Sequence, residues 1–270
     1  MNIKINNWYG RLGNNISQLR NVIHIAVFYK YNIIIPTHKY FNTTYIKINN
    51  NITVNSKIKN FDGNHNNFFS AGRIKNIDNE VFNSNCENVL RILKSIFIIK
   101  CPSPIKKSSL IIHIRSGDIF SHRPHSLYVM PPFSYYLNII NNNNYDNIIL
   151  IAEDTKNPCI NALLKHYPKI IFTKQNLDTD IKIILSGTDI VMGYGTFIPC
   201  LILFSENIRK LYRPQYVSGS NYNNKYLKEL NTTSILHDEY YKKVFPWKNT
   251  LVQQKIMLEY GMPVENSHKE

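Results

Sequence analysis

Four short stretches carry side chains of the kind that grip phosphate or move protons. His113-Ile114-Arg115-Ser116-Gly117-Asp118 sets an arginine at the end of an apolar run, with a glycine two residues on. A guanidinium there can offer parallel N–H donors to a diphosphate, in a planar fork that lysine lacks. Alternation along a strand turns His113 and Arg115 to one side and Ile112 and Ile114 to the other. The plainer reading is an Arg115–Asp118 ion pair closing the turn, with His113 a hydrogen-bonded core residue. In Gly10-Arg11-Leu12-Gly13-Asn14-Asn15, two glycines permit close backbone approach to a ligand at a helix start, where unpaired N–H groups attract an anion. Equally, Gly10 and Gly13 shape a turn and Asn14 or Asn15 caps the helix. No Gly-Lys-Ser/Thr follows, so this is not a Walker loop. Gly193-Tyr194-Gly195-Thr196-Phe197 puts Thr196 where a helix N-cap or a phosphate-bridging hydroxyl would stand. Glu153-Asp154 ends another apolar run and reads either as part of the same site or as a solvated acidic turn.

Metal chemistry finds little support. Asp178-Thr179-Asp180 has the DxD form of metal-dependent transferases, but it opens a helix and N-capping accounts for it. His122-Arg123-Pro124-His125 has no third ligand at sensible spacing. The cysteines Cys86, Cys101, Cys159 and Cys200 form no CxxC pair, so free thiols in a reducing compartment are expected.

The stretches sit where strands run into loops. Ile3–Ile5 reads as a strand and the apolar period from Ile16 through Leu19, Ile23, Ala26, Val27 and Tyr31 as a helix. Ile33-Ile34-Ile35 then reads as a strand ended by Pro36, giving a βαβ opening. Residues 37–85 read as irregular, with short strands at Tyr45–Ile48 and Ile52–Val54. A helix over Asn85–Ile99 follows, carrying Val89, Leu90, Leu93, Phe97 and Ile98 on its apolar face. Cys101-Pro102-Ser103-Pro104 is the linker candidate. Beyond it strands at Leu110–Ile114, Ile148–Ala152, Lys169–Phe172 and Asp189–Met192 alternate with helices at Phe133–Ile140, Asn157–His166, Asp180–Leu185 and Thr196–Glu206. That alternation predicts an α/β protein of two Rossmann-like halves facing a cleft: residues 1–104 on the acceptor side, and 105–270 binding the donor and ending in a helical tail.

The chain has 270 residues, 43% hydrophobic and 19% charged, which suits globular folding. Its net charge of +14 favours anionic partners. Pairs such as Lys106-Lys107 and Lys242-Lys243 are scattered rather than massed, as on a solvated surface. No signal-like or membrane-spanning apolar run occurs, so a soluble intracellular, cytoplasmic protein is expected and the sequons at Asn15, Asn42, Asn51 and Asn231 are read as chance.

Taken in order, the glycine loop, the HxRxGD stretch and the Gly193–Phe197 element resemble the α-1,2- and protein-O-fucosyltransferase superfamily. The likeness runs over residues 8 to 212. It implies a metal-independent, inverting GT-B glycosyltransferase, of a soluble bacterial or viral kind, that moves fucose from GDP-fucose to a glycan acceptor. It carries Arg115 onto the donor's β-phosphate, Asn14 to the same phosphates, and Thr196 and Phe197 to the nucleotide, with Gly13, His113 and Gly195 lining the donor site. The catalytic set is then Arg115, Asp118 and Glu153, the two carboxylates being the candidates for a base, or Asp118 orienting Arg115. The Trp pair common in bacterial α-1,2 enzymes is missing, and Tyr128–Phe133 is expected to shape the acceptor side. Another nucleotide sugar on the same fold is one rival reading. A non-catalytic polyanion or nucleic-acid binder is a second, suggested by the charge and the eighteen tyrosines, though no recognition motif for nucleic acid is present. A transferase fold kept as a lectin-like or structural protein is a third.

Overall fold

Two β-sheets organise the chain, one parallel throughout and one with an antiparallel edge strand, and the sequence around each explains its contents. The computed structural model describes residues 1–61, 79–105, 108–173, 175–215, 226–227 and 230–262. Lys106-Lys107 and the 62–78 part of the stretch expected to be irregular lie outside the described residues. The first compact unit takes Met1–Pro102, returns for Thr196–Glu206, and includes Tyr226 and Leu227. The second takes Ser103–Gly195 and the other described residues from Asn207 onward.

In the first unit β1 (Asn2–Ile5) lies between β2 (Asn32–Ile34) and β4 (Ile58–Phe61), parallel to both, and β3 (Tyr45–Ile46) runs antiparallel on the β2 edge. No strand forms at Ile52–Val54. The carbonyls there accept side-chain donors instead: Ile52 from Asn32 at 3.0 Å, Thr53 and Val54 from Asn2 at 2.9 Å each. The same buried Asn32 accepts from the backbone of Ile48 and Asn49 at 2.7 Å, so one amide shapes the whole connection.

Helix α1 spans Leu12–Tyr29 and starts earlier than the apolar period indicates. Gly13, Asn14 and Asn15 therefore stand in its first turn. Arg11 is the N-cap residue and no side chain caps it, which corrects the expectation that Asn14 or Asn15 would. Most of α1 from Leu12 to Ala26 is buried, polar positions included. Those polar groups have work that burial requires: Asn15 donates to the Tyr9 carbonyl at 2.9 Å, and Gln18 bonds the backbone of both Asn7 and Tyr9. They fasten the loop after β1 to its own helix. Helix α2 (Asn79–Ile96) follows; it stops before Ile98, which is exposed, while Phe97 is buried and stacked on Phe204 at 3.9 Å.

The second unit contains β5 (Ser109–His113), α3 (Phe133–Asn141), β6 (Asn147–Ile151), α4 (Pro158–His166), β7 (Ile171–Thr173), α5 (Leu177–Ser186) and β8 (Asp189–Val191). After the chain's return to the first unit, where α6 (Phe197–Leu201) lies, come β9 (Lys210–Gln215), β10 (Asn231–Leu236), α7 (Asp238–Val244) and α8 (Leu251–Glu259). Across the sheet the order is β7-β6-β5-β8-β9-β10, all parallel. Numbered from β5, this is the 3-2-1-4-5-6 order of a doubly wound nucleotide-binding sheet. Leu110, Ile111 and Ile112 are wholly buried, as a strand covered on both faces requires. The helical tail is fastened to this core: Trp247 Nε1 donates to the Ile119 carbonyl at 2.8 Å and the Tyr240 hydroxyl to the Met130 carbonyl at 2.9 Å. Among the described residues, no helix is long and apolar enough to cross a membrane. The four cysteines are free thiols, three of them buried.

Candidate functional site

In a doubly wound sheet the strand order reverses once, and successive connections leave on opposite faces there, opening a crevice beyond the strands' carboxyl ends. Here the reversal falls between β5 and β8. His113 ends β5, and Arg115 follows it at the mouth of that crevice. Gly193 and Gly195 follow β8. A Cβ on Gly193 would lie 3.6 Å from the His113 carbonyl oxygen, so the two strand ends nearly touch. Gly195 has φ +129°, and a Cβ there would lie 2.9 Å from Nη1 of Arg115. Glycine is thus needed twice at one position, for its backbone and for the room it leaves the guanidinium.

Arg115 has company on other sides. Its Nη2 pairs with Asp118 at 3.3 Å, and its Cζ stands 4.4 Å from the centre of the Tyr128 ring. The Arg115 side chain is 23% exposed and that of Asp118 50%, so the pair is reachable from solvent and holds only weakly. His113 is pushed down to about 4, first by burial and then by the Arg115 charge, and is a neutral imidazole at pH 7.

The loop carrying Arg115 is tied from beneath. The Ser116 hydroxyl donates to Asp154 Oδ1, and the backbone N–H groups of Gly117 (3.2 Å) and Lys156 (3.0 Å) converge on the same oxygen. Burial by itself would raise the Asp154 carboxyl. These donors and the Lys156 ammonium overcome it and hold the group at about 2. Asn157 caps α4 by accepting from Cys159 N–H, and donates to the Arg115 carbonyl at 3.1 Å. Glu153 lies over Gly117: a Cβ at that glycine, whose φ is +62°, would come 2.5 Å from Glu153 Oε2.

The second unit therefore gathers His113, Arg115, Asp118, Glu153 and Gly195. The remaining site candidates gather in the first unit. Thr196 donates its hydroxyl to Asn14 Oδ1 at 2.6 Å, across 182 positions of sequence. It makes no cap bond to α6, which corrects the capping alternative for that residue. A Cβ on Gly13 would sit 2.8 Å from the Cα and N of Phe197, so the glycine's missing side chain admits the backbone of α6. Asp178 and Asp180 lie in the first turn of α5, but Asn176 caps it, accepting from Thr179 N–H at 3.0 Å; the capping role expected for the DxD stretch belongs to Asn176. Among the described residues, no three His, Cys, Asp or Glu side chains cluster as a metal site.

Sequence reasoning missed the parts played by Ser116, Asp154, Asn157 and Tyr128. Asn157-Pro158 carried the signal of a cap followed by proline at the first helical position. Nothing in sequence ties Tyr128 to Arg115. The structure puts the other apolar members of Tyr128–Phe133 in the core, with Val129, Met130 and Phe133 buried.

No protein-family model matches the chain, and no curated protein does. Two solved structures share some of its fold. One is the E. coli ADP-heptose lps heptosyltransferase II, with 10% identity and a TM-score of 0.31 over 57% of this chain. The chain spans less than half of that protein, 45% of its length. The other is the E. coli heptosyltransferase WaaC with ADP, at 9% identity and a TM-score of 0.42, covering 94% of this chain and 96% of that one. At such scores neither likeness bears on what this chain binds.

Proposed function

We propose that this protein is a glycosyltransferase of the GT-B kind, taking its sugar from a nucleotide sugar whose diphosphate is gripped by Arg115. The observation that carries the reading is the place of Arg115. It follows β5 at the reversal of a 3-2-1-4-5-6 sheet, with its guanidinium confined by Gly195 and still reachable from solvent. That crevice is where such sheets take nucleotide phosphates. As the glycosidic bond to phosphate breaks, the leaving diphosphate gains negative charge, and a fixed guanidinium lowers the barrier without reorganising. Neutral His113 beside it adds no competing charge. Asp118 is paired with Nη2 of Arg115 until the donor takes its place; Glu153, exposed just past the end of β6, is the proposed base for the acceptor hydroxyl.

The finer assignment is fucose from GDP-fucose onto a glycan, supported by the resemblance of the HxRxGD stretch, the glycine loop and the distal Thr-Phe element to fucosyltransferases. No metal enters the reading. Another nucleotide sugar on the same fold is the second reading, and ADP-heptose is assayed as one representative of it. Thermal shift with GDP, UDP, ADP, GDP-fucose and ADP-heptose, followed by transfer of labelled sugar to a glycan panel with and without EDTA, tests all of this. The expected result is stabilisation by a nucleoside diphosphate and EDTA-insensitive transfer. Stabilisation by heparin or RNA, with none by any nucleotide, would instead establish the polyanion binder. Loss of transfer in EDTA would return attention to Asp178 and Asp180.

A further inference from the structure

An arginine that must present its in-plane N–H groups to a ligand needs something else to hold it. The side chain loses rotamer freedom when fixed, and a partner that takes its N–H groups competes with the ligand. Asp118 is such a competitor, bonded to Nη2. An aromatic ring is not, because it attracts the cation through its π face and accepts none of the conventional hydrogen bonds.

Resting on the donor reading above, we propose that Tyr128 is the positioning residue of Arg115, holding the guanidinium at the crevice while leaving its N–H groups for an anion. The ring lies 4.4 Å from Cζ and is itself held. Tyr194 meets it edge-on at 5.4 Å and His125 packs at 4.9 Å. The backbone on either side is fixed: Tyr128 N–H bonds the His125 carbonyl, Trp247 N–H bonds the Ser126 carbonyl, and Val129 and Met130 are buried. Gly195 closes another side of the guanidinium. Ring and glycine define its place, and Asp118 occupies the donor edge until a stronger anion displaces it.

Tyr128→Phe keeps the ring; Tyr128→Leu and Tyr128→Gln remove it, two chemistries in case one fails to fold. Phenylglyoxal labelling of Arg115, followed by peptide mass spectrometry, reports how the side chain is held without reference to function. Titration with GDP and inorganic pyrophosphate reports the consequence. Tyr128→Phe should stay within about twofold of wild type in both. The ringless variants should label several-fold faster and bind GDP about tenfold more weakly, the scale of a partly desolvated cation–π contact. A folded ringless variant with wild-type labelling overturns the proposal. If wild type binds neither GDP nor pyrophosphate, the donor reading fails, and the labelling rates alone still decide whether Tyr128 holds Arg115.

Discussion

At the scale of single residues, the site depends on how a loop after a strand keeps one arginine in place. Asp154 does most of this by collecting Ser116, Gly117 and Lys156 on one carboxylate. Its carboxyl is held at about 2, below the usual 3.8, so the ionised form stabilises the fold. That contribution is complete above the unfolded value and disappears as pH falls from about 4 to 2. His113 and His237, each pushed down to about 4 with burial the main cause, act in an earlier window: stability is lost as pH falls from 6.5 toward 4, because protonating them is easier unfolded. Asp154→Asn should therefore lose about 1–2 kcal/mol at pH 7, discounted from the full shift because the carboxylate is partly solvated. Its urea midpoint, followed against pH, should flatten between 4 and 2 while keeping the histidine step. A profile parallel to wild type through the lower window would remove Asp154 from this role. The arginine and its glycine turn were legible in sequence. The Asp154 network was not, because its members are separated by about forty residues and meet only once β5 and β6 pair.

At the scale of elements, two glycines do different things and should fail differently when replaced. Gly195→Ala strains a left-handed backbone and drives a methyl against Nη1 of Arg115, so nucleotide binding should fall about tenfold or more. Gly13→Ala forces α6 off α1, and the unfolding midpoint should fall by about 1–3 kcal/mol in stability. Titration calorimetry and chemical denaturation on both variants check this; an unstrained Gly195→Ala with full affinity would contradict it. Strands of the second unit from β5 to β8 were legible, since each is an apolar run bounded by turn residues. Two of the edge strands, β4 and β10, were not. β4 reads Ile-Lys-Asn-Phe, and β10 reads Asn-Thr-Thr-Ser-Ile-Leu and stays largely solvated along its length. β9 carries Pro214, which argues against a central strand. Its position resolves the conflict: β8 reaches only Lys210 to Tyr212, so the missing N–H of Pro214 leaves the β8 ladder intact. Helix α1 misled for the opposite reason, as its first turn is polar yet buried by bonds to its own preceding loop.

At the scale of the molecule, sequence alternation was enough to give two Rossmann-like units, while the return of Thr196–Glu206 to the first unit left no trace in composition. A net charge of +14 draws anions toward the whole surface, and that attraction weakens with salt. The claim on which the functional reading stands is narrower, that one fork-shaped cation grips a diphosphate. Equilibrium binding of GDP to wild type, Arg115→Lys and Arg115→Ala, each verified as folded by circular dichroism and titrated at low and high salt, separates the two effects. Arg115→Lys should lose most of the affinity although the charge is kept, Arg115→Ala should lose nearly all of it, and both losses should persist in high salt. Folded Arg115→Lys and Arg115→Ala variants that bind GDP as wild type does would contradict that claim.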